Sequence, residues 1–210
     1  MKVTKRALVL APHPDDGEFS SGGTIKKIAS EGVQVWYAAF SPCVKSLPKG
    51  FDDNSLFVEL HNAVKHLGIP DDNVITYDYP VRELAAHRQD ILENMIEIRN
   101  EFDPEMIFLP NSFDIHQDHQ VIHNEGVRAF KNSSLLGYEL PWNNFESKSN
   151  LYVELDQSHL DAKIAAIGEY KSQQFRNYQS KEFFESLARV RGTQINKQYA
   201  EAFEMIRWIY

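Results

Sequence analysis

Apolar residues fall along this chain in two alternating rhythms: short unbroken runs, and longer stretches with a helical repeat. Arg6 to Ala11 (RALVLA) is a continuous run stopped by Pro12, which reads as a buried strand. A small-residue turn, Ser20 to Gly23, leads into a helix over Thr24 to Glu31 that ends at Gly32. Val33 to Phe40 reads as a second strand and Ser41 to Asn54 as a loop. Leu56 to Leu67 is a helix with Gly68 as its stop and Pro70 behind it. Val74 to Tyr77 gives a third strand. Arg88 to Phe102 is an amphipathic helix carrying Ile91, Leu92, Met95, Ile96 and Ile98 near one side. Pro104 separates it from a fourth strand, Met106 to Leu109, and Gln120 to Phe130 is the helix that follows.

This alternation predicts an α/β fold, a mostly parallel sheet with helices on both faces. Ligands of such sheets bind beyond the carboxyl ends of the strands. The last third is less regular. Leu135 to Leu140 and Leu151 to Leu155 read as strands, Ser158 to Tyr170 and Glu182 to Arg189 as helices, and Ala202 to Ile209 as a closing strand or helix. This part is expected to extend the sheet and cover the site.

Composition narrows the class. With 210 residues and a hydrophobic fraction of 42%, one core and a single domain over residues 1–210 are expected. The net charge of −8, with basic residues mixed among acids, argues against a nucleic-acid partner. Cys43 is the one cysteine, which suits a reducing compartment. Lys2, Lys5 and Arg6 precede an apolar run too short for a signal peptide. No apolar segment approaches the roughly 18 residues of a membrane span. A soluble, cytoplasmic protein is expected.

Two polar clusters sit where the sheet should deliver its strand ends. His13-Pro14-Asp15-Asp16 follows the first strand, and Asp114-Ile115-His116-Gln117-Asp118-His119 follows the fourth. Two histidines with one or two carboxylates and no cysteine form a ligand set for Zn²⁺ or Fe²⁺. A catalytic zinc takes three protein ligands and keeps a position for water, whose pKa falls to roughly 7. A spare carboxylate can take that water's proton, and a spare imidazole can stabilise or protonate what develops opposite. Asp15 and Asp16 are adjacent, so one can ligate while the other faces substrate; spacing does not say which. If His119 opens the helix, His116 lies in the preceding loop and can aim elsewhere.

His13-Pro14-Asp15-Asp16 with Gly22-Gly23-Thr24, and His116-Gln117-Asp118-His119 after a fourth strand, resembles the LmbE-like (PIG-L) family of zinc-dependent N-deacetylases. Arg191-Gly192 and the run from Tyr199 to Phe203 resemble that family's ending. The resemblance implies a Rossmann-like sheet, with its site at the strand ends, and removal of an acetyl group from an N-acetylglucosaminyl substrate. It makes His13, Asp16 and His119 the Zn²⁺ ligands, Asp15 the general base, and His116 the imidazole that stabilises the oxyanion or donates a proton. Asp118 would orient His116 by accepting its other ring N–H. Many members carry Glu directly after the two aspartates. Here that position is Gly17 and Glu18 follows, a branch marker that changes no assigned ligand or base.

Plainer roles compete for several residues. His13, Asp16 and His119 could form a metal-free polar network, and Asp15 could simply cap a helix. Asp114 is read as holding its loop, with ligation the alternative. His123 is read as an outer or surface residue, since Gln120 breaks an HExxH pattern. His61, His66 and His87 are read as ordinary. Ser20 to Thr24 resembles an anion-binding helix start but lacks a GxGxxG pattern. Roles for Cys43, Arg82, Arg88 and Trp142 stay open, and Trp36 and Trp208 default to core or interface. The expected partner is a small-molecule N-acetylated amino sugar or its conjugate, and a homo-oligomer is compatible with this sequence. The alternatives are a deacylase for another small amide, and a catalytically silent sugar-binding protein on the same fold. Specificity is expected in the Ser41–Asn54 loop, the Asp78–His87 segment and the Leu140–Asn150 loop.

Overall fold

The structure, a computed structural model, describes residues 4–146 and 148–210; Lys2 and position 147 of the 140–150 loop lie outside the described residues. Five strands pair in parallel: β1 (Arg6–Ala11), β2 (Gln34–Ala39), β3 (Val74–Thr76), β4 (Met106–Pro110) and β5 (Ser134–Tyr138). Two more, β6 (Leu151–Leu155) and β7 (Tyr199–Arg207), complete a sheet in the order β3-β2-β1-β4-β5-β7-β6, with β7 antiparallel to both neighbours. The sheet is thus mixed at one end and parallel elsewhere, as the alternating pattern of the first two thirds predicts.

β1 shows how sequence sets the layers. Its residues are completely buried from Ala7 to Ala11, because helices cover both faces. Alternate side chains go to opposite sides. Ala7, Val9 and Ala11 join the core cluster shared with α1 (Asp16–Ser30), α2 (Ser55–Leu67) and α5 (Gln157–Ile167). Leu8 and Leu10 join the other cluster, with α3 (Arg88–Phe102) and α4 (Gln117–Ala129). α6 (Lys181–Gln194) packs beside β7.

The chain steps from β1 to β2 and β3 on one side, then returns to place β4 and β5 on the other. β1 and β4 are therefore neighbours at the point where strand order reverses. The crevice beyond their carboxyl ends is the expected ligand position in such a sheet.

The main local departure from the sequence pattern is α1. It begins at Asp16, so Ser20 to Gly23 lie inside a helix and form neither a turn nor a helix start. Glycine is placed there by close packing. A Cβ on Gly23 would come within 2.4 Å of Leu155 Cδ1, and one on Gly22 within 3.0 Å of Lys163 Cγ. α4 likewise begins at Gln117, earlier than expected, with His116 as its N-cap. The closing segment is a strand inserted between β5 and β6. Among the described residues no helix is long and apolar enough to cross a membrane.

Candidate active site

β1 ends at Ala11, and Pro12 and Pro14 prevent it from continuing. The chain folds back at once: the His13 N–H donates to Asp16 Oδ2 at 2.8 Å, and the Asp16 N–H donates to the His13 carbonyl at 3.3 Å. Asp16 then starts α1. The neighbouring strand β4 leads through residues 111–116 into α4, which carries His119 in its first turn.

Three donor atoms converge between these segments. His13 Nδ1 lies 3.2 Å from Asp16 Oδ2, His119 Nε2 lies 3.3 Å from the same oxygen, and the two ring nitrogens are 3.2 Å apart. Ligands of a tetrahedral ion bound at about 2.0–2.1 Å stand about 3.3 Å apart, so this triangle fits a zinc-sized cation. A looser grouping replaces Asp16 with His116, one nitrogen from each of the three histidines lying within 4.8 Å of the others. The tighter set is favoured by its geometry and by its mixed N and O donors.

Each histidine of the triangle is held from behind by its own carboxylate. Asp114 Oδ2 sits 2.8 Å from His119 Nδ1, leaving Nε2 free to ligate. Asp118 Oδ2 sits 3.1 Å from His13 Nε2, leaving Nδ1 free. This corrects the expectation that Asp118 orients His116. The Asp118 carboxylate is fully buried and faces β1, where it also accepts from the backbone N–H groups of Arg82 (2.7 Å) and Leu84 (3.4 Å). Only its backbone meets His116: the Asp118 N–H donates to His116 Nδ1 at 3.2 Å. That bond assigns the remaining His116 proton to Nε2.

Asp15 takes the N-cap position of α1, yet its carboxylate makes no capping hydrogen bond. It is half-buried and lines a cavity of about 240 Å³ together with His13, Asp16, His116 and His119. Burial and the adjacent Asp16 charge push its carboxyl up to about 6, against the pull of His13 and Arg176. Burial opposes ionisation of Asp16 too, but the His119 and His13 rings and hydrogen bonds from His13 bring it down to about 2. Burial, reinforced by His119 and His13, lowers His116 to about 4, so its imidazole is neutral near pH 7. A cation in the triangle would lower all three further.

Other residues flagged by the sequence divide cleanly. Cys43 and Arg82 line the cavity, as does Trp142, stacked on Tyr178 at 3.8 Å and 9°. Burial pushes the Cys43 thiol up to about 11, the wrong direction for a nucleophile. Arg88 pairs with Glu125, Trp36 packs on Phe102, and His123 bonds the Pro110 carbonyl, all away from the cavity lining. Arg176, Tyr178 and Gln173 line the cavity unheralded. They come from an irregular stretch after α5, where no motif marks them.

Comparison with known proteins places this geometry in context. A family model described as GlcNAc-PI de-N-acetylase (PIG-L) matches residues 8–130, a span that contains both clusters. The uncharacterized deacetylase YaiS of Escherichia coli (strain K12) is 23% identical over 174 residues, covering 80% of this chain and 91% of that protein. Solved structures that share the fold include the two that follow. The N,N'-diacetylchitobiose deacetylase of Pyrococcus horikoshii superposes with a TM-score of 0.75 at 20% identity, over 96% of this chain and 83% of its own. The 4-carboxy-2-hydroxymuconate hydratase GalB of Pseudomonas putida KT2440 does so with a TM-score of 0.80 at 20% identity, over 98% of each chain.

Proposed function

The chain belongs to the PIG-L (GlcNAc-PI de-N-acetylase) family, and from that premise we propose that it is a zinc-dependent hydrolase, one catalytic domain, that removes the acetyl group from an N-acetylated, GlcNAc-type amino sugar. The observation that carries the reading is the 3.2–3.3 Å triangle of His13, Asp16 and His119 beside a carboxylate, Asp15, that no capping bond occupies. His13, Asp16 and His119 would hold the ion, oriented by Asp118 and Asp114. A bound divalent ion supplies Lewis acidity and a water of lowered pKa.

The remaining steps belong to the chain's own side chains. Asp15 takes the proton of the attacking water and later returns it to the departing nitrogen, so that acetate and a free amine leave. His116, neutral and protonated at Nε2, donates to the oxyanion that develops on the former carbonyl oxygen. Trp142 and Tyr178, backed by the buried Phe19, wall the cavity and offer apolar surface to a sugar ring.

The shared fold of the Pseudomonas hydratase means that architecture alone does not select amide hydrolysis. The test is acetate release, with metal content measured in parallel, from a panel of N-acetylated sugars, other small amides and an enol-type diene. We expect acetate from a GlcNAc-type sugar, and a loss of about 10²-fold or more in Asp15→Ala with the metal retained. Hydrolysis of other amides only would move the activity to the deacylase alternative. Water addition to the diene without acetate release would replace the reading with a hydratase. A fully loaded protein that binds sugars without turning them over would make it the silent alternative.

A further inference from the structure

Beside the site cavity, and sharing Ser46, Arg82 and Arg176 with it, lies a second depression that also takes in Lys45. Of its seven lining residues three are cationic and none is acidic. This is unexpected in a chain of net charge −8. Lys45 is paired with Glu83. Arg82 and Arg176 are not: among the described residues neither forms an ion pair. Arg82 reaches only the Ser46 hydroxyl, at 3.5 Å. Arg176 donates through Nε to the buried Gln173 Oε1 at 2.9 Å, hydrogen-bonds the Tyr178 hydroxyl and is flanked by the Phe175 and Tyr178 rings, so that its guanidinium is held by neutral partners alone.

The backbone at Arg82 adds an independent observation. Its φ is +69°, a left-handed conformation that Gly or Asn adopts with less strain. The conformation is enforced from outside: the Arg82 N–H donates to Asp118, and its carbonyl accepts from Gln117 Nε2. A long charged side chain at such a position, lining both the active cavity and the depression beside it and without a carboxylate partner, is a candidate ligand contact. Two guanidinium groups at one mouth suit an oxyanion, which they can bind through forked N–H donors.

Resting on the deacetylase reading, we propose that the substrate carries an anionic group, a carboxylate or a phosphate ester, at the end remote from its acetamido group, and that Arg82 and Arg176 bind it. The amide sits over Asp15 and His116 while the anion occupies the cationic vestibule. Selectivity for charged over neutral conjugates is the consequence.

The test uses three sugars with the same acetamido ring: methyl N-acetylglucosaminide, its carboxymethyl counterpart and N-acetylglucosamine 1-phosphate. For each, kcat/KM and calorimetric Kd are measured on the metal-loaded wild type, R82Q and R176Q, at low and high NaCl. We expect an anionic member to be preferred by tenfold or more, the preference to shrink with salt, and each variant to lose at least fivefold more on the anionic sugar than on the neutral one. Whichever charged sugar leads identifies the anion as carboxylate or phosphate. Turnover of the neutral sugar at least as good as of both anionic ones overturns the inference and leaves the deacetylase reading intact. So does an equal loss on all three in both variants, which would assign Arg176 to tuning Asp15. If nothing is turned over, the deacetylase reading fails and the Kd ratios still decide whether the two arginines bind anions.

Discussion

Three of the residues at the centre of the site are read directly from two short motifs, but what each does to its neighbour is not. Asp118 is the instructive case. Two positions from His116, it invites pairing with it. On a helix whose N-cap is His116, however, the residue two further on meets the cap through its backbone N–H, and its side chain is free to point elsewhere. Here it crosses to His13, 105 positions away, at 3.1 Å. A different variant phenotype follows. Asp118→Asn removes the charge that holds His13 Nε2, and metal affinity should weaken about 10- to 100-fold. Competition against a chromophoric chelator measures this, with circular dichroism as the check on folding. Unchanged affinity with reduced turnover would instead return Asp118 to His116.

At the scale of elements, α1 is where the sequence was legible in kind and misleading in place. Gly22-Gly23 reads as a turn because glycine most often serves turns, but here it lets β6, β7 and α5 approach a continuous helix. Glu201 from β7 accepts from the Gly23 and Thr24 N–H groups at 3.0 and 2.7 Å, and Lys163 from α5 meets Glu201 at 2.6 Å and the Ser20 carbonyl at 3.1 Å. Partners 178 positions apart leave no local trace. Both side chains are almost wholly buried, at 4% and 6% exposure, so the pair is poorly replaced by water. Lys163→Met leaves an uncompensated buried carboxylate and should destabilise the fold by about 3–5 kcal/mol. Lys163→Met with Glu201→Gln removes both charges but leaves a single acceptor for the Gly23 and Thr24 N–H groups, so it should recover only part of that. Urea denaturation of the three proteins decides it; a double variant no more stable than the single one would show that packing around the lysine stem and the backbone N–H bonds to Glu201, and not the unpaired charge, set the loss.

The whole molecule is stitched together directly beneath the His13–Asp16–His119 triangle, and there its stability should depend on pH. The sequence marks Gly17-Glu18 only as a departure from a family pattern; the fold supplies the reason. A Cβ at position 17 would fall 2.5 Å from the Tyr37 ring, and Glu18, fully buried, sits between Tyr37 of β2 and Tyr170 after α5. The Tyr37 hydroxyl is 2.8 Å from the Pro14 carbonyl and 2.7 Å from Glu18; the Tyr170 hydroxyl is 2.8 and 3.0 Å from the same two groups. Four short oxygen contacts share two phenolic hydrogens, and a protonated Glu18 provides a third. Burial pushes the Glu18 carboxyl up to about 8, in spite of both tyrosine hydrogen bonds. Because the folded chain holds this proton more tightly than the unfolded one, the contribution is fully present below about pH 4.5 and is lost as pH rises towards 8, at up to about 1.4 kcal/mol per pH unit. Glu18→Gln presents a neutral amide at every pH, so wild type minus variant should fall across that window and flatten above it. Asp15 titrates in the same range and its charge adds to the upward push on Glu18, so the difference reports Glu18 together with its interaction with Asp15. Urea denaturation of the pair from pH 5 to 9 reads the slope directly. Parallel curves would mean that Glu18 is ionised in the folded protein, with the two phenolic hydrogens alone serving the cluster.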